Sequence, residues 1–138
     1  MADVVLNQTA GTALFQGEKK LITHYQNVSD SSGGSTTVVD VSALTKDGSG
    51  NSCATVTLNK VWYSVSMTAK VDAVKLTWDA DTDATFLTLE QSGFLDYSSI
   101  GGVPNNKATN YTGDVKFVMP ACTSADSATI TCEWLKNY

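Results

Sequence analysis

Apolar residues recur at every second position along much of this chain, a period of two that marks a strand with one buried face. Near the C-terminus Ala128, Ile130, Cys132 and Trp134 alternate with Thr129, Thr131 and Glu133. Just before them Val115, Phe117 and Met119 alternate with Asp114, Lys116 and Val118, and Pro120 ends the run because it has no N–H to give a ladder. The connecting ACTSADS is turn-like, so residues 114–135 are expected to form a hairpin with a longer loop. That register would keep Cys122 beside the loop and Cys132 well down the second strand, not facing each other.

Upstream, Val61, Tyr63, Val65, Met67 and Ala69 form another alternating face, preceded by Val56 and Leu58 on the opposite parity. The switch at Asn59-Lys60 predicts a bulge or a turn there. Val74, Leu76 and Trp78 alternate with Lys75, Thr77 and Asp79, and Leu87 and Leu89 alternate with Thr88 and Glu90. Shorter strands are expected within 19–28 and 36–41. The runs VSDSSGGST, TKDGSGNS and YSSIGGVPNN read as exposed connections. The pattern predicts an all-β protein: a single antiparallel β-sandwich or jelly-roll-like barrel of about seven or eight strands. Residues 18–138 make that domain. Residues 1–17 fit less well and are expected to be an N-terminal arm, or an edge strand using Val4 and Leu6.

Composition narrows the function. All nine basic residues are lysine, the net charge is -5 and the pI is near 4.6. An acidic chain without arginine lacks the electrostatic footprint and the bidentate fork of a nucleic-acid binder, so no nucleic acid is expected as partner. No apolar run approaches the ~18 residues of a membrane span, and the N-terminus lacks the pattern of a secretory signal. Cys53, Cys122 and Cys132 are odd in number and show no CxxC spacing. They are expected to be small thiols of a protein made in a reducing cytoplasm, not a disulfide framework or a zinc site. Ser and Thr supply 32 of the 138 residues, which suits solvent-facing strand positions.

One stretch looks like metal chemistry. In WDADTDATFLTLE, Asp79, Asp81, Asp83 and Glu90 fall at positions 1, 3, 5 and 12, the ligand spacing of an EF-hand loop. The sixth position, which needs glycine, is Ala84, and both flanks carry strand alternation where helices are required. A hairpin whose turn is built from DADTD is the expected structure, with the aspartates bonding nearby backbone N–H groups. Three close carboxylates leave a structural cation at Asp79, Asp81 and Asp83 as the one cofactor option, and no other cofactor is expected.

No catalytic constellation is visible. His24 is the only histidine, lies in a short strand, and has no G-x-S-x-G nucleophile elbow to serve. It is expected at a surface or strand edge. The aromatics Trp62, Tyr63, Trp78, Phe94, Tyr97, Phe117, Trp134 and Tyr138 are divided between core positions and possible sugar platforms. Phe94 and Tyr97 are the expected exposed ones, because SGFLDYSSIGG alternates poorly.

The succession VVDVSAL, NSCATVTLNKVWYSV, VKLTWDADTDATFLTLEQSGFLDYSSIGGVPNN and TGDVKFVMPACTSADSATITCEWLKN resembles a family of small, largely uncharacterised proteins of tailed bacteriophages, many from phages of marine bacteria. The resemblance covers roughly residues 36–137. Its most specific pieces are K-[IV]-W-Y at Lys60 to Tyr63, L-x-W-D at Leu76 to Asp79 and T-G-D-[IV] at Thr112 to Val115. It implies a non-enzymatic virion structural protein, first of all a capsid decoration (cement) protein. Such a protein is synthesised in the host cytoplasm and sits on the capsid surface. Its partners would be the major capsid protein, copies of itself, or both. A tail, neck or fibre-adaptor subunit is the alternative, and a carbohydrate-binding module a more distant one. Two segments are the expected contacts: the arm, with Val4, Leu6, Leu14 and Phe15, and the later loop, with Phe94, Leu95 and Tyr97. The arm could add a strand to a neighbour's sheet edge.

Overall fold

A computed structural model describes the backbone of residues 4–6 and all of residues 15–138. These residues form ten strands: β1 Val4–Leu6, β2 Phe15–Gln16, β3 Lys20–Val28, β4 Gly34–Val39, β5 Thr55–Ser66, β6 Val74–Trp78, β7 Ala84–Leu89, β8 Ser92–Asp96, β9 Val115–Met119 and β10 Ser127–Asn137. Two single-turn 3₁₀ segments, at Val41–Ala43 and Ser98–Ile100, lie in the connections. All ladders are antiparallel and divide into two sheets. The larger runs β1-β3-β10-β5-β8, with β2 also on β3, and the smaller runs β4-β9-β6-β7.

The pairing has a simple logic. From β3 onward the first strand pairs with the last, β3 with β10, then β4 with β9, β5 with β8 and β6 with β7. This is one long four-level hairpin, wrapped so that β10 also meets β5 and β9 also meets β6. That order is the jelly roll, an eight-strand double sheet. The all-β sandwich expected from alternation is therefore what forms, as two facing sheets and not a closed barrel.

The alternating apolar sets become the layer between the sheets. Val61, Val65, Ala128, Ile130, Cys132 and Trp134 from the larger sheet meet Val74, Leu76, Trp78, Val115, Phe117 and Met119 from the smaller one, all buried. Aromatic contacts tie the layers together. Tyr25 packs across the layers on Phe117 with ring centroids 4.8 Å apart, while within the smaller sheet Trp78 stacks on Phe86 at 3.7 Å. Trp134 meets both Trp78 and Phe86 edge-on at 6.4 Å, and its indole N–H donates to the Thr23 hydroxyl at 3.0 Å. A buried indole needs such a partner, because an unpaired N–H in the core is costly.

The parity switch at Asn59 is a β-bulge. Lys60 pairs with Glu133 and Leu58 with Trp134, leaving Asn59 as an extra residue in an otherwise continuous β5. The freed Asn59 amide donates to the Glu133 carboxylate at 2.5 Å, and Lys20 approaches the other oxygen at 3.5 Å.

Three expectations are corrected. Residues 114–135 are not a hairpin, since β9 and β10 lie in different sheets and 120–126 carries the chain across. Alternation records which face is buried, not which strand is the partner. Second, SGFLD is not loop but the edge strand β8, read as irregular because an edge strand's outer face faces solvent. Third, of the two alternatives for the N-terminal segment, Val4–Leu6 takes the edge strand and not the outreaching arm, pairing with Gln26 to Val28 of its own chain. Leu14 lies outside the described residues.

Candidate functional site

The outer face of the larger sheet is the surface on which unusual residues collect. Strand register places them in rows, because directly paired residues share a face. One row crosses the sheet as Phe94, Trp62, Thr131 and His24. The next holds Asp96, Lys60, Glu133, Ile22 and Phe15, and the one on the other side Ser92, Ser64, Thr129 and Gln26. Thus Phe15 and Phe94, both expected contacts, do share a face, but on opposite edges of the sheet. At about 4.8 Å per strand they stand roughly 19 Å apart across four strand spacings.

Trp62 and Phe94 form the centre. Their rings stack with centroids 5.2 Å apart and an interplanar angle of 27°. Trp62 remains 40% exposed, Phe94 50% and Phe15 52%, high values for large apolar side chains on paired strands. Beside the stack runs a shallow groove of about 240 Å³ bordered by Trp62, Tyr63, Ser64, Gly93, Thr129 and Thr131. Gly93 is glycine for a local reason: a Cβ there would sit 2.7 Å from the Tyr63 hydroxyl oxygen, so the tyrosine lies over a bare backbone.

Leu95 and Tyr97 are placed differently from expectation. Both are half-buried and pack against the core, so of these three expected contacts only Phe94 is presented outward. The residue that sequence reasoning passed over is Trp62. Its signal was available: it sits on the opposite parity from Val61, Tyr63 and Val65, the face the alternation assigns to the core.

His24 lies in the same row, half-buried on β3 between the stretches that pair with β2 and β1, and its Nδ1 hydrogen-bonds the Thr131 hydroxyl at 2.8 Å. A hydroxyl touching an imidazole is the first element of nucleophilic catalysis, which also requires an orienting group and donors for an oxyanion. Here that is the imidazole's one hydrogen bond among the described residues. β10 is paired along both edges, and β3 pairs with β10 over its whole length but with β1 and β2 only at 26–28 and 21–22.

The aspartate-rich turn is organised around a lysine. Asp79–Asp83 joins β6 to β7, and the turn is held by a hydrogen bond from the Ala80 N–H to Asp83 Oδ1 at 3.1 Å. Lys116 Nζ, from β9, sits 2.9 Å from Asp79 Oδ1 and 3.0 Å from Asp83 Oδ2. The Thr112 hydroxyl donates to Asp79 Oδ2 and the Asn110 amide to Asp81 Oδ2, each at 2.7 Å. The hydrogen bonds from Lys116 and then Thr112 hold the Asp79 carboxyl below its ordinary range, and the bonds to Asp79 and Asp83 raise Lys116. Asp114 goes the other way: burial raises it, although its carboxylate accepts the Val41 N–H at 3.0 Å. Among the described residues no three His, Cys, Asp or Glu side chains converge as metal ligands. Glu90 is seven residues beyond Asp83 along extended chain, roughly 20 Å away at 3.3 Å per residue, too far to close over the turn. Ala84, in the glycine position of the calcium pattern, simply begins β7.

None of the three cysteines is in a disulfide; Cys53 and Cys132 are buried and Cys122 is half-buried. Among the described residues no helix is long and apolar enough to cross a membrane. Comparisons with protein-family models, curated proteins and solved structures return no match to this chain.

Proposed function

We propose that this chain is a non-enzymatic virion structural protein, a capsid decoration (cement) protein. It would hold to the major capsid protein, to copies of itself, or to both through the outer face of its larger sheet. The observation that carries this reading is the exposed Trp62–Phe94 stack on the paired strands β5 and β8 of the larger sheet. Aromatic side chains bury large area at little cost in side-chain freedom and dominate protein contacts. The row on one side of them, Ser92, Ser64, Thr129 and Gln26, is uncharged, so that side of the stack can be dehydrated without stranding a charge. The resemblance to phage virion proteins supports the same reading. So does the jelly roll, which recurs in viral capsid domains, although that support is analogy at the level of fold. Cementing a shell requires complementarity repeated by symmetry and no reactive group.

The test is capsid occupancy. Purified protein is mixed with undecorated capsids, and the Trp62→Ala/Phe94→Ala double variant is expected to lose binding while its unfolding midpoint stays near that of the parent. Unchanged occupancy by a folded double variant would overturn the reading. Copy number per particle separates a decoration protein from a tail, neck or fibre-adaptor part, since only a shell lattice repeats a site many times over.

One specific observation favours a second reading. Ser64, Thr129 and Thr131 set hydroxyls along the groove beside the aromatic pair, an arrangement that suits a sugar ring, and lectin domains share the jelly roll. Binding on a glycan array that disappears in Trp62→Ala would shift the assignment to carbohydrate.

A further inference from the structure

We propose that two copies of this protein pair edge to edge through β8, joining their larger sheets across a two-fold axis at Phe94. The inference rests on reading the Trp62–Phe94 face as a protein-contact surface and names its partner as a second copy of the chain.

The sheet edges differ in how they are protected. An unpaired edge is a template for another strand, and proteins blunt edges with bulges, short strands or covering segments. On β7 an extra residue, Phe86, breaks the register with β6, and on β4 Val38 does the same against β9. The outer edge of β3 is covered at its two ends by the short strands β1 and β2 of the same chain, leaving three residues between them. Among the described edge strands longer than three residues, β8 alone is regular, with five consecutive pairs from Lys60↔Asp96 to Ser64↔Ser92 and no shift. It contains neither lysine nor proline.

The free groups on that edge can be assigned. The Tyr97 N–H donates to the Asn59 carbonyl at 2.8 Å, and the Val65 N–H donates to the Gln91 carbonyl. In an antiparallel ladder bonded and non-bonded pairs alternate, so Gly93 and Leu95 also bond inward to β5. The N–H and C=O groups of Ser92, Phe94 and Asp96 therefore point away from the sheet, and they suit a second antiparallel strand.

Charge selects the register. With the two-fold axis at Phe94, Phe94 faces its own copy, and Ser92 faces Asp96 of the other chain on both sides. The strand's one charge then opposes a hydroxyl and never its own copy. The same axis brings the two Phe94–Trp62 stacks side by side, covering the most exposed aromatic area of the sheet. Five-residue strands alone bury less than the ~1,200 Å² of a stable specific interface, so the dimer should form reversibly and depend on concentration.

The register makes a signed prediction that folding defects cannot mimic. Ser92→Lys would place an ammonium opposite Asp96 of the other copy twice over, and Ser92→Asp would place a carboxylate there. By sedimentation equilibrium, S92K should tighten the dimer and S92D weaken it, each by roughly two- to thirty-fold, the effect of two cross-strand charge pairs. Circular dichroism confirms that both variants are folded. A wild-type protein that stays monomeric up to millimolar concentration would overturn the inference. So would a dimer whose affinity moves the same way, or not at all, in both variants. The capsid assay separates this from the function it rests on. A monomeric protein that still decorates capsids sinks only the β8 dimer. A charge-tunable dimer that ignores capsids supports the dimer and sinks only the cement reading.

Discussion

Replacing Lys116 with methionine probes the turn that looked like a calcium loop. The side chain keeps its length and apolar stem but loses the ammonium between Asp79 and Asp83. The three groups are 29%, 21% and 35% exposed, so solvent screens them and each ion pair is worth only about 0.2–1 kcal/mol. Removing the lysine also leaves two carboxylates close together, and the combined loss should be about 1–2 kcal/mol at pH 7. For a chain of this size that lowers the melting temperature by about 4–8 °C. The sign with pH follows from the shifts. The Asp79 carboxyl is depressed in the folded state, so its stabilisation is present above the unfolded aspartate pKa and fades as pH falls through the lower folded value. Lys116 is raised, so its share persists at neutral pH and is lost only as pH climbs past its folded value, above the unfolded lysine range. Urea unfolding of wild type and Lys116→Met should therefore diverge at pH 7 and narrow toward about pH 2, as Asp79 protonates through its depressed folded value. An equal gap at both pH values would refute the electrostatic account and assign the loss to packing.

Further outcomes follow from the same structure. Millimolar calcium, compared with chelator, should leave the melting temperature of the wild type within about 1 °C, because Lys116 already bridges the aspartates whose oxygens a hard cation would need. A calcium-dependent rise of several degrees would contradict this. Gly113 adopts φ +90°, and a Cβ there would lie 2.0 Å from the Ala54 carbonyl oxygen. Gly113→Ala should cost about 3 kcal/mol or more by chemical denaturation, through overpacking and a left-handed backbone together. A thiol reagent should label Cys122 first in native protein. Burial raises the thiol pKa of both Cys53 and Cys132, so these two should react only on unfolding, as resolved by mass spectrometry of labelled peptides.

Part of the molecule is written in the order of its residues. Alternation at 61–65, 74–78, 115–119 and 128–134 marks strands and their buried faces, because side chains on extended backbone take opposite sides at successive positions whatever the fold. The parity change at Asn59 likewise locates the bulge, and strand signals flanking DADTD locate the β6–β7 turn. Pairing is another matter. Each strand joins its partner through backbone groups that every residue carries, so sequence gives almost no sign that β10 lies between β3 and β5 and not beside β9. The wrapping of the four-level hairpin, driven by burial of both inner faces at once, decides that. The same tertiary step creates the candidate site: Trp62 and Phe94 are 32 residues apart and meet only because β5 and β8 are neighbours. It also sends Lys116 across from β9 to the acidic turn, turning a calcium-like spacing into a lysine-bridged corner. Local chemistry dictates which positions are buried; long-range burial chooses which exposed residues stand together.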